Sequence, residues 1–474
     1  MTAAASARTL AAVRPSERQL AWQEMEFYGF IHFGMNTMTG REWGEGHDDP
    51  ALFDPSDLDA DQWVRALKAA GMTGVILTCK HHDGFCMWPS DATAYSVAAS
   101  PWKDGKGDVV AEVADAARRH GLEFGVYLSP WDRTEASYGS GTGYDDFYVA
   151  QLTELLTRYG PVFSVWLDGA NGEGPNGKRQ SYDWERYYAV VRELQPDAVI
   201  NVCGPDVRWC GNEAGETRPD EWSVVPRALQ DAERTASRSQ QADDGTFARL
   251  VRSDDQDLGS RAALAGHEDD LVWFPAEVNT SIRPGWFHHE AEDSQVRSVD
   301  ELFTLYLRSV GGNSCFLLNV PPAVDGRLHQ ADVDALEGLG RRITDFRARR
   351  IDATATVSSG TPGDIATVWP GRTKSSWRAG EDDARPSVTL AFGGPRTVEA
   401  VVVGEDITQG QRVEHVVVRG ALDGVWTTLA ETGAVGYQRV LTFPPTEVDT
   451  IAFQITATRD TPVLARVAAI GASS

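Results

Sequence analysis

The segment Phe163-Ser-Val-Trp-Leu-Asp168-Gly-Ala-Asn-Gly-Glu173 ends a short apolar run on a carboxylate and passes directly into glycine-rich chain. A charge at the end of a buried strand is costly unless it is paired or used. In a barrel of parallel strands, that end is where active sites are built. Asp168 is therefore the first candidate for chemistry. Similar clusters close other apolar runs. One holds His32 and is followed by Arg41-Glu42-Trp43-Gly44. A second is Lys80-His81-His82-Asp83-Gly84-Phe85, and a third is Tyr127-Leu128-Ser129-Pro130-Trp131. A fifth block, Asn201 to Glu216, carries Asp206, Trp209, Asn212, Glu213 and Glu216. Each cluster alone is explained as a satisfied buried histidine, a core aromatic or a solvated loop carboxylate. Their recurrence at consecutive strand ends points them to one barrel mouth.

Aromatics, histidines and two carboxylates suit a sugar. Indole faces stack on the apolar side of a pyranose, and His, Glu and Tyr polar ends bond its hydroxyls. One carboxylate attacks the anomeric carbon while a second, kept protonated, gives its proton to the leaving oxygen. Other chemistries fit less well. His81 and His82 are adjacent, so on a regular strand they point to opposite faces and share an ion only if the chain bends there. No His-x-His pair and no Gly-x-Ser-x-Gly elbow occur, and no glycine-rich dinucleotide fingerprint follows the first strand. No metal and no cofactor are expected.

The elements that must position these residues alternate. Strand candidates are Phe27–Phe33, Gly74–Cys79, Glu123–Leu128, Phe163–Asp168, Ala198–Val202, Trp222–Val225, Leu271–Ala276 and Ser314–Val320. Helical stripes of period 3.6 fall at Asp61–Gly71, Asp108–Gly121, Asp146–Gly160 and Tyr182–Gln195, each stopped by glycine or proline. Strand–helix alternation means a parallel sheet, and the count predicts an α/β fold, a (β/α)8-like barrel over residues 1–350. The polar stretch Pro226–Asp269 reads as an excursion, a lid or a subunit contact. After Arg350 the pattern changes to short strands: Ala353–Val357, Ile365–Trp369, Ser387–Phe392, Val398–Val403, Val413–Val418, Val425–Leu429, Val440–Phe443 and Thr450–Ile455. This predicts a C-terminal all-β sandwich over 351–474.

The 474 residues exceed one compact core. A formal net charge of −25 argues against nucleic acid and anionic membrane as partners and costs a neutral sugar nothing. The cysteines number five, an odd count with long spacings, and are expected to be reduced. No apolar run reaches the ~20 residues of a membrane span. Met1 to Pro15 lacks the unbroken apolar core of a secretory leader, which gives a cytoplasmic expectation with secretion left open. Oligomeric state is left open as well.

His32-Phe33-Gly34, Glu42-Trp43-Gly44, Lys80-His81-His82-Asp83-Gly84-Phe85, Tyr127-Leu128-Ser129-Pro130-Trp131 and Trp166-Leu167-Asp168-Gly169-Ala170 resemble the motif set of α-L-fucosidases of glycoside hydrolase family 29. The runs Asp168–Lys178 and Gly204–Glu213 resemble the subfamily that prefers α-1,3/1,4-linked fucose. The resemblance implies a retaining exo-acting hydrolase of fucosylated oligosaccharides or glycoconjugates, with Asp168 as nucleophile. It implies Glu213 as acid/base, with Glu216 the alternative. It further implies His32, Glu42, Trp43, His81, His82, Tyr127 and Trp286 as fucose contacts, Trp286 meeting the C5 methyl. Leu167 stands where the family more often has an aromatic. The C-terminal region resembles galactose-binding-like (discoidin) modules. Two other readings stay open: a transfucosidase using the same site, and a lectin-like protein that binds fucose without turnover.

Overall fold

In the computed structural model, residues 3–238, 256–366, 369 and 375–473 are described. Eight strands form one parallel sheet: β1 (Phe27–Ile31), β2 (Gly74–Lys80), β3 (Glu123–Leu128), β4 (Ser164–Leu167), β5 (Val199–Val202), β6 (Arg208–Trp209), β7 (Ala276–Ser281) and β8 (Ser314–Asn319). Their order is β5-β4-β3-β2-β1-β8-β7-β6. A parallel bridge from Asn201 to Val207 links the outer strands, so the sheet is a nearly closed barrel. Helices Ala60–Ala69, Val109–His120, Thr142–Arg158, Trp184–Leu194, Val299–Ser309 and Gln330–Ala348 lie between or after the strands. Asp59, Asp108, Asp183 and Ser298 cap four of these by accepting a main-chain N–H of the first turn. The four helical stripes read from the sequence are all present.

Eight strands were expected, but two of the segments assigned to the barrel lie elsewhere. Val224–Pro226 and Leu271–Trp273 pair antiparallel in a separate two-stranded ribbon. The barrel instead uses β6 and β7. The physical reason is the composition of β7. Its buried sequence Ala-Glu-Val-Asn-Thr-Ser carries polar side chains on alternate positions, and Glu277 and Asn279 accept hydrogen bonds from indoles inside the barrel. A search for apolar runs passes over such a strand. β6 is two residues long and lies inside the polar block that follows β5. Within the excursion, a helix covers Ala232–Arg238, and residues 239–255 lie outside the described residues.

The C-terminal domain is an antiparallel sandwich. It contains β9 (Thr354–Val357), β10 (Trp377–Arg378), β11 (Ser387–Glu405), β12 (Val413–Leu422), β13 (Val425–Thr432), β14 (Arg439–Thr458) and β15 (Val463–Gly471). Two pairs of expected strands merge: β11 and β14 are each one long strand, with register shifts near Ala391/Arg396 and Val398/Ala400. Such bulges bend a strand without ending it, which is why the hydrophobic pattern is interrupted there. The expected strand Ile365–Trp369 is not formed at Ile365 and Ala366, which are in a turn, and residues 367–368 lie outside the described residues. The core includes Trp377, Val388, Leu390, Val401, Val416, Phe453 and Leu464.

The sandwich is tied to the chain that enters β1 and β8. Tyr437 donates its main-chain N–H to Asn313 Oδ1 at 2.7 Å and its hydroxyl to Glu26 at 3.1 Å. Arg347, on the last barrel helix, pairs with Glu26 at 3.0 Å. These contacts lie at the opposite end of β1 and β8 from the clustered histidines and carboxylates. All five cysteines are free and buried. Among the described residues, no helix is long and apolar enough to cross a membrane.

Candidate active site

One pocket opens at the carboxyl ends of the barrel strands. His32, Glu42, Trp43, His81, His82, Asp168, Glu213 and Trp286 line it, together with Phe30, Trp166, Gly169, Ala170, Val202, Trp209 and Asn279. Eight of the nine site residues expected from the sequence therefore share one wall. The ninth, Tyr127, stands behind it and donates its hydroxyl to Asp168 Oδ2 at 2.9 Å. The Ala170 main-chain N–H donates to Asp168 Oδ1 at 2.7 Å. Both oxygens of Asp168 are thus oriented, and the glycine-rich chain after β4 supplies one of the donors.

His81 and His82 both reach the pocket because the strand does not stay regular. The register between β2 and β3 shifts between Thr78 and Lys80, the chain leaves the sheet there, and the two rings sit 4.0 Å apart. Hydrogen-bond partners assign each imidazole, kept neutral by burial, its tautomer. Asn319 donates its amide N–H groups to Ser281 Oγ and Trp286 O, so its Oδ1 accepts from His32 Nδ1 at 2.8 Å. His32 therefore offers Nε2 as an acceptor. Asn36 Nδ2 donates to Glu42 O and to His81 Nδ1 at 3.0 Å, which leaves the proton of His81 on Nε2. Ser129 spends its hydroxyl proton on Trp131 O and accepts from His82 Nδ1 at 2.7 Å, so His82 Nε2 is again an acceptor. Burial holds His32 down to about 3 and His82 down to about 4, and drives His81 well below the usual histidine range. The result is a neutral wall of one donor and two acceptors, suited to hydroxyl groups. Among the described residues, no group of three His, Cys, Asp or Glu is disposed to hold a metal.

Of the three carboxyl groups lining the pocket, Asp168 and Glu213 differ in their surroundings. Glu213 is pushed up to about 8, first by removal from water, then by the negative charge of Asp168, with a smaller push from Glu42. The Trp286 indole, which donates to Glu213 Oε2 at 3.1 Å, pulls the other way. A carboxylic acid kept protonated beside a second carboxyl group is the arrangement expected of a proton donor. Glu216, the alternative to Glu213, does not line this pocket. It faces an outer groove with Ala214, Arg297, Thr304 and Arg308.

Glu42 is more than a wall. Its carboxylate accepts the main-chain N–H groups of Trp286 at 2.8 Å and Phe287 at 3.2 Å, and His289 Nε2 at 2.8 Å. It therefore fixes the loop that carries Trp286. Sequence reasoning missed Asn319 and Asn279. Asn319 orients His32, and Asn279 Oδ1 accepts from Trp209 Nε1 at 3.0 Å. A signal existed: both are amides inside otherwise buried strands, where an unpaired polar group is costly. Asp206, noted in the same block as Glu213, is structural: it accepts from the Ile200 main chain at 2.8 Å and pairs with Arg192.

Residues 8–345 match the family model described as alpha-L-fucosidase, and residues 351–468 match the F5/8 type C domain. The chain is 39% identical over 442 residues to Alpha-L-fucosidase 1 of Arabidopsis thaliana, covering 90% of this chain and 81% of that protein. It resembles the crystal structure of a glycoside hydrolase 29 family member from an unknown rumen bacterium, with 36% identity and a TM-score of 0.79 over 98% of this chain and 78% of the other. A Ruminococcus gnavus GH29 fucosidase in complex with fucose superposes with a TM-score of 0.84 at 28% identity, over 98% of this chain and 96% of the other.

Proposed function

Because the chain belongs to the α-L-fucosidase family, glycoside hydrolase family 29, it hydrolyses α-L-fucosides, and we propose that it does so with retention through a covalent intermediate on Asp168. The supporting observation is the pairing of two unlike carboxyl groups in one pocket. Glu213 is held up to about 8, partly by the charge of Asp168, and Asp168 is oriented by Tyr127 and the Ala170 N–H.

In the first step the fucose ring lies against Trp166, Trp286 and Phe30, with its hydroxyls on His32, His81 and His82. Asp168 attacks the anomeric carbon. The bond to the leaving oxygen breaks as Glu213 delivers its proton to that oxygen. In the second step Glu213, now a carboxylate, takes a proton from water. The water oxygen bonds to the anomeric carbon, and Asp168 departs as a carboxylate. Two displacements return the original configuration. Trp286 has two tasks: an apolar face toward the deoxy C5 methyl, and an N–H that holds the Glu213 carboxyl.

The substrate assigned to this site is a terminal fucose on an oligosaccharide or glycoconjugate, in α-1,3 or α-1,4 linkage. A panel of 2-, 3-, 4- and 6-linked fucosyl oligosaccharides tests the linkage. Cleavage of the 3- and 4-linked members alone is expected, and preference for simple aryl fucosides overturns that assignment. Proton NMR of the first-formed sugar tests the stereochemistry: α-L-fucose must appear before mutarotation, and β-L-fucose rules out the intermediate.

A further inference from the structure

The inward face of β7 is polar, and each of its side chains holds part of the pocket. Ser281 Oγ accepts from Asn319, which orients His32. Asn279 accepts from Trp209. Glu277, fully buried at the centre of the barrel, accepts three hydrogen bonds. Trp166 Nε1 donates to Oε1 at 2.7 Å, Asn201 Nδ2 donates to Oε2 at 2.7 Å, and the Tyr28 hydroxyl donates to Oε2. Tyr28 in turn accepts from Trp22 Nε1 at 2.8 Å. No step of the fucosidase reaction uses Glu277.

A carboxylate at this depth is an expensive way to fill space. A buried charge survives only when its partners are complete, and an apolar side chain of similar volume packs at lower cost. What the carboxylate provides is aim. Trp166 lines the pocket, and its ring stacks on Tyr127 with centroids 5.4 Å apart and planes at 29°. Tyr127 donates to Asp168. The route from Glu277 to Asp168 thus passes through one hydrogen bond, one ring stack and a second hydrogen bond. We propose that Glu277 is a positioning residue: by holding the Trp166 indole N–H it sets the floor of the fucose pocket and, through Tyr127, the direction of the Asp168 carboxylate. This rests on the assignment of Asp168 made above. That assignment is tested separately by Asp168→Ala, which leaves Glu277 and Trp166 in place.

The test is a double-mutant cycle between Glu277→Gln and Trp166→Phe. The amide of Glu277→Gln cannot accept from all three donors, because its nitrogen meets either the Tyr28 and Asn201 pair or Trp166. Trp166→Phe keeps an aromatic floor and removes only the N–H and one ring. Each single variant is expected to lower kcat/KM on an aryl fucoside by roughly tenfold, with kcat falling as well as KM rising. If Glu277 acts through Trp166, adding Glu277→Gln to Trp166→Phe costs less than about twofold more. Losses that multiply overturn the proposal, as does Glu277→Gln with unchanged kcat and KM. A merely structural role lowers the melting temperature and the yield of active enzyme without moving KM, and that result also overturns it. Should Glu277→Gln not fold, Glu277→Asp, which keeps the charge but shortens its reach to the Trp166 N–H, takes its place in the cycle and is read by the same criteria.

Discussion

The indole N–H of Trp286 donates to Oε2 of Glu213 at 3.1 Å, while Glu42 accepts the main-chain N–H of the same tryptophan at 2.8 Å. One residue is thereby held by one carboxyl group and holds another. Because the indole favours the ionised form of Glu213, removing it must raise the Glu213 pKa further above about 8. Trp286→Phe is expected to move the alkaline limb of kcat to higher pH and to raise KM through the lost wall. A full pH–rate profile of both enzymes checks this, and a limb displaced to lower pH contradicts it.

The native profile has its own expectation. Glu213 must be protonated to assist departure of the leaving group, so activity on substrates with poor leaving groups should decline as pH rises through about 8. Substrates whose leaving group needs no proton should lose that dependence in the fucosylation step. Single-turnover measurements on a pair of aryl fucosides of widely different leaving-group acidity separate the two cases.

Removing the carboxylates should give unequal results. Asp168→Ala is expected to retain the fold and fucose binding while kcat falls by roughly four orders of magnitude or more. Glu213→Ala should keep measurable turnover on activated aryl fucosides, and azide, entering the vacated space, should raise that rate and yield a fucosyl azide. Azide rescue of Glu216→Ala, with none for Glu213→Ala, reverses the assignment of the acid/base. The separation of Glu216 into an outer groove argues against that outcome.

The legible parts of this chain were those where chemistry and hydrophobic pattern agree. Asp168, His32 and the His81-His82 pair end apolar strands, so one reading finds both the strand and the site. The same logic fails at β7, where function has replaced the apolar pattern. Glu277, Asn279 and Ser281 are satisfied by Trp166, Trp209 and Asn319 from other strands, and such partners are invisible along one dimension. The adjacent histidines show the opposite case. Ideal strand geometry separates them, and only the irregular end of β2 brings both rings to one pocket. In the sandwich, bulges in β11 interrupted the pattern of a single strand, while β15 was missed although its sequence is mostly apolar.

The neutral histidine wall makes a prediction about stability rather than rate. His32 is buried, its Nδ1 proton is held by Asn319, and its folded pKa lies at about 3, below the 6.5 of an unfolded chain. The unfolded state therefore binds a proton between pH 6.5 and about 3 that the native state refuses. The stability that depends on neutral His32 is present above 6.5 and is lost as pH falls through that window, by up to about 1.4 kcal/mol per pH unit. Burial also raises several carboxyl groups, including Asp83 and Glu277, and these act with the opposite sign. Only a difference isolates the histidine. Urea unfolding of the native protein and of His32→Gln at pH 7 and pH 5 supplies it. The native protein's advantage over the variant should shrink by up to about 2 kcal/mol at the lower pH. An advantage that stays constant means that folding leaves the His32 pKa near its ordinary 6.5, so that at pH 5 it meets the sugar as a cation and cannot offer Nε2 as an acceptor.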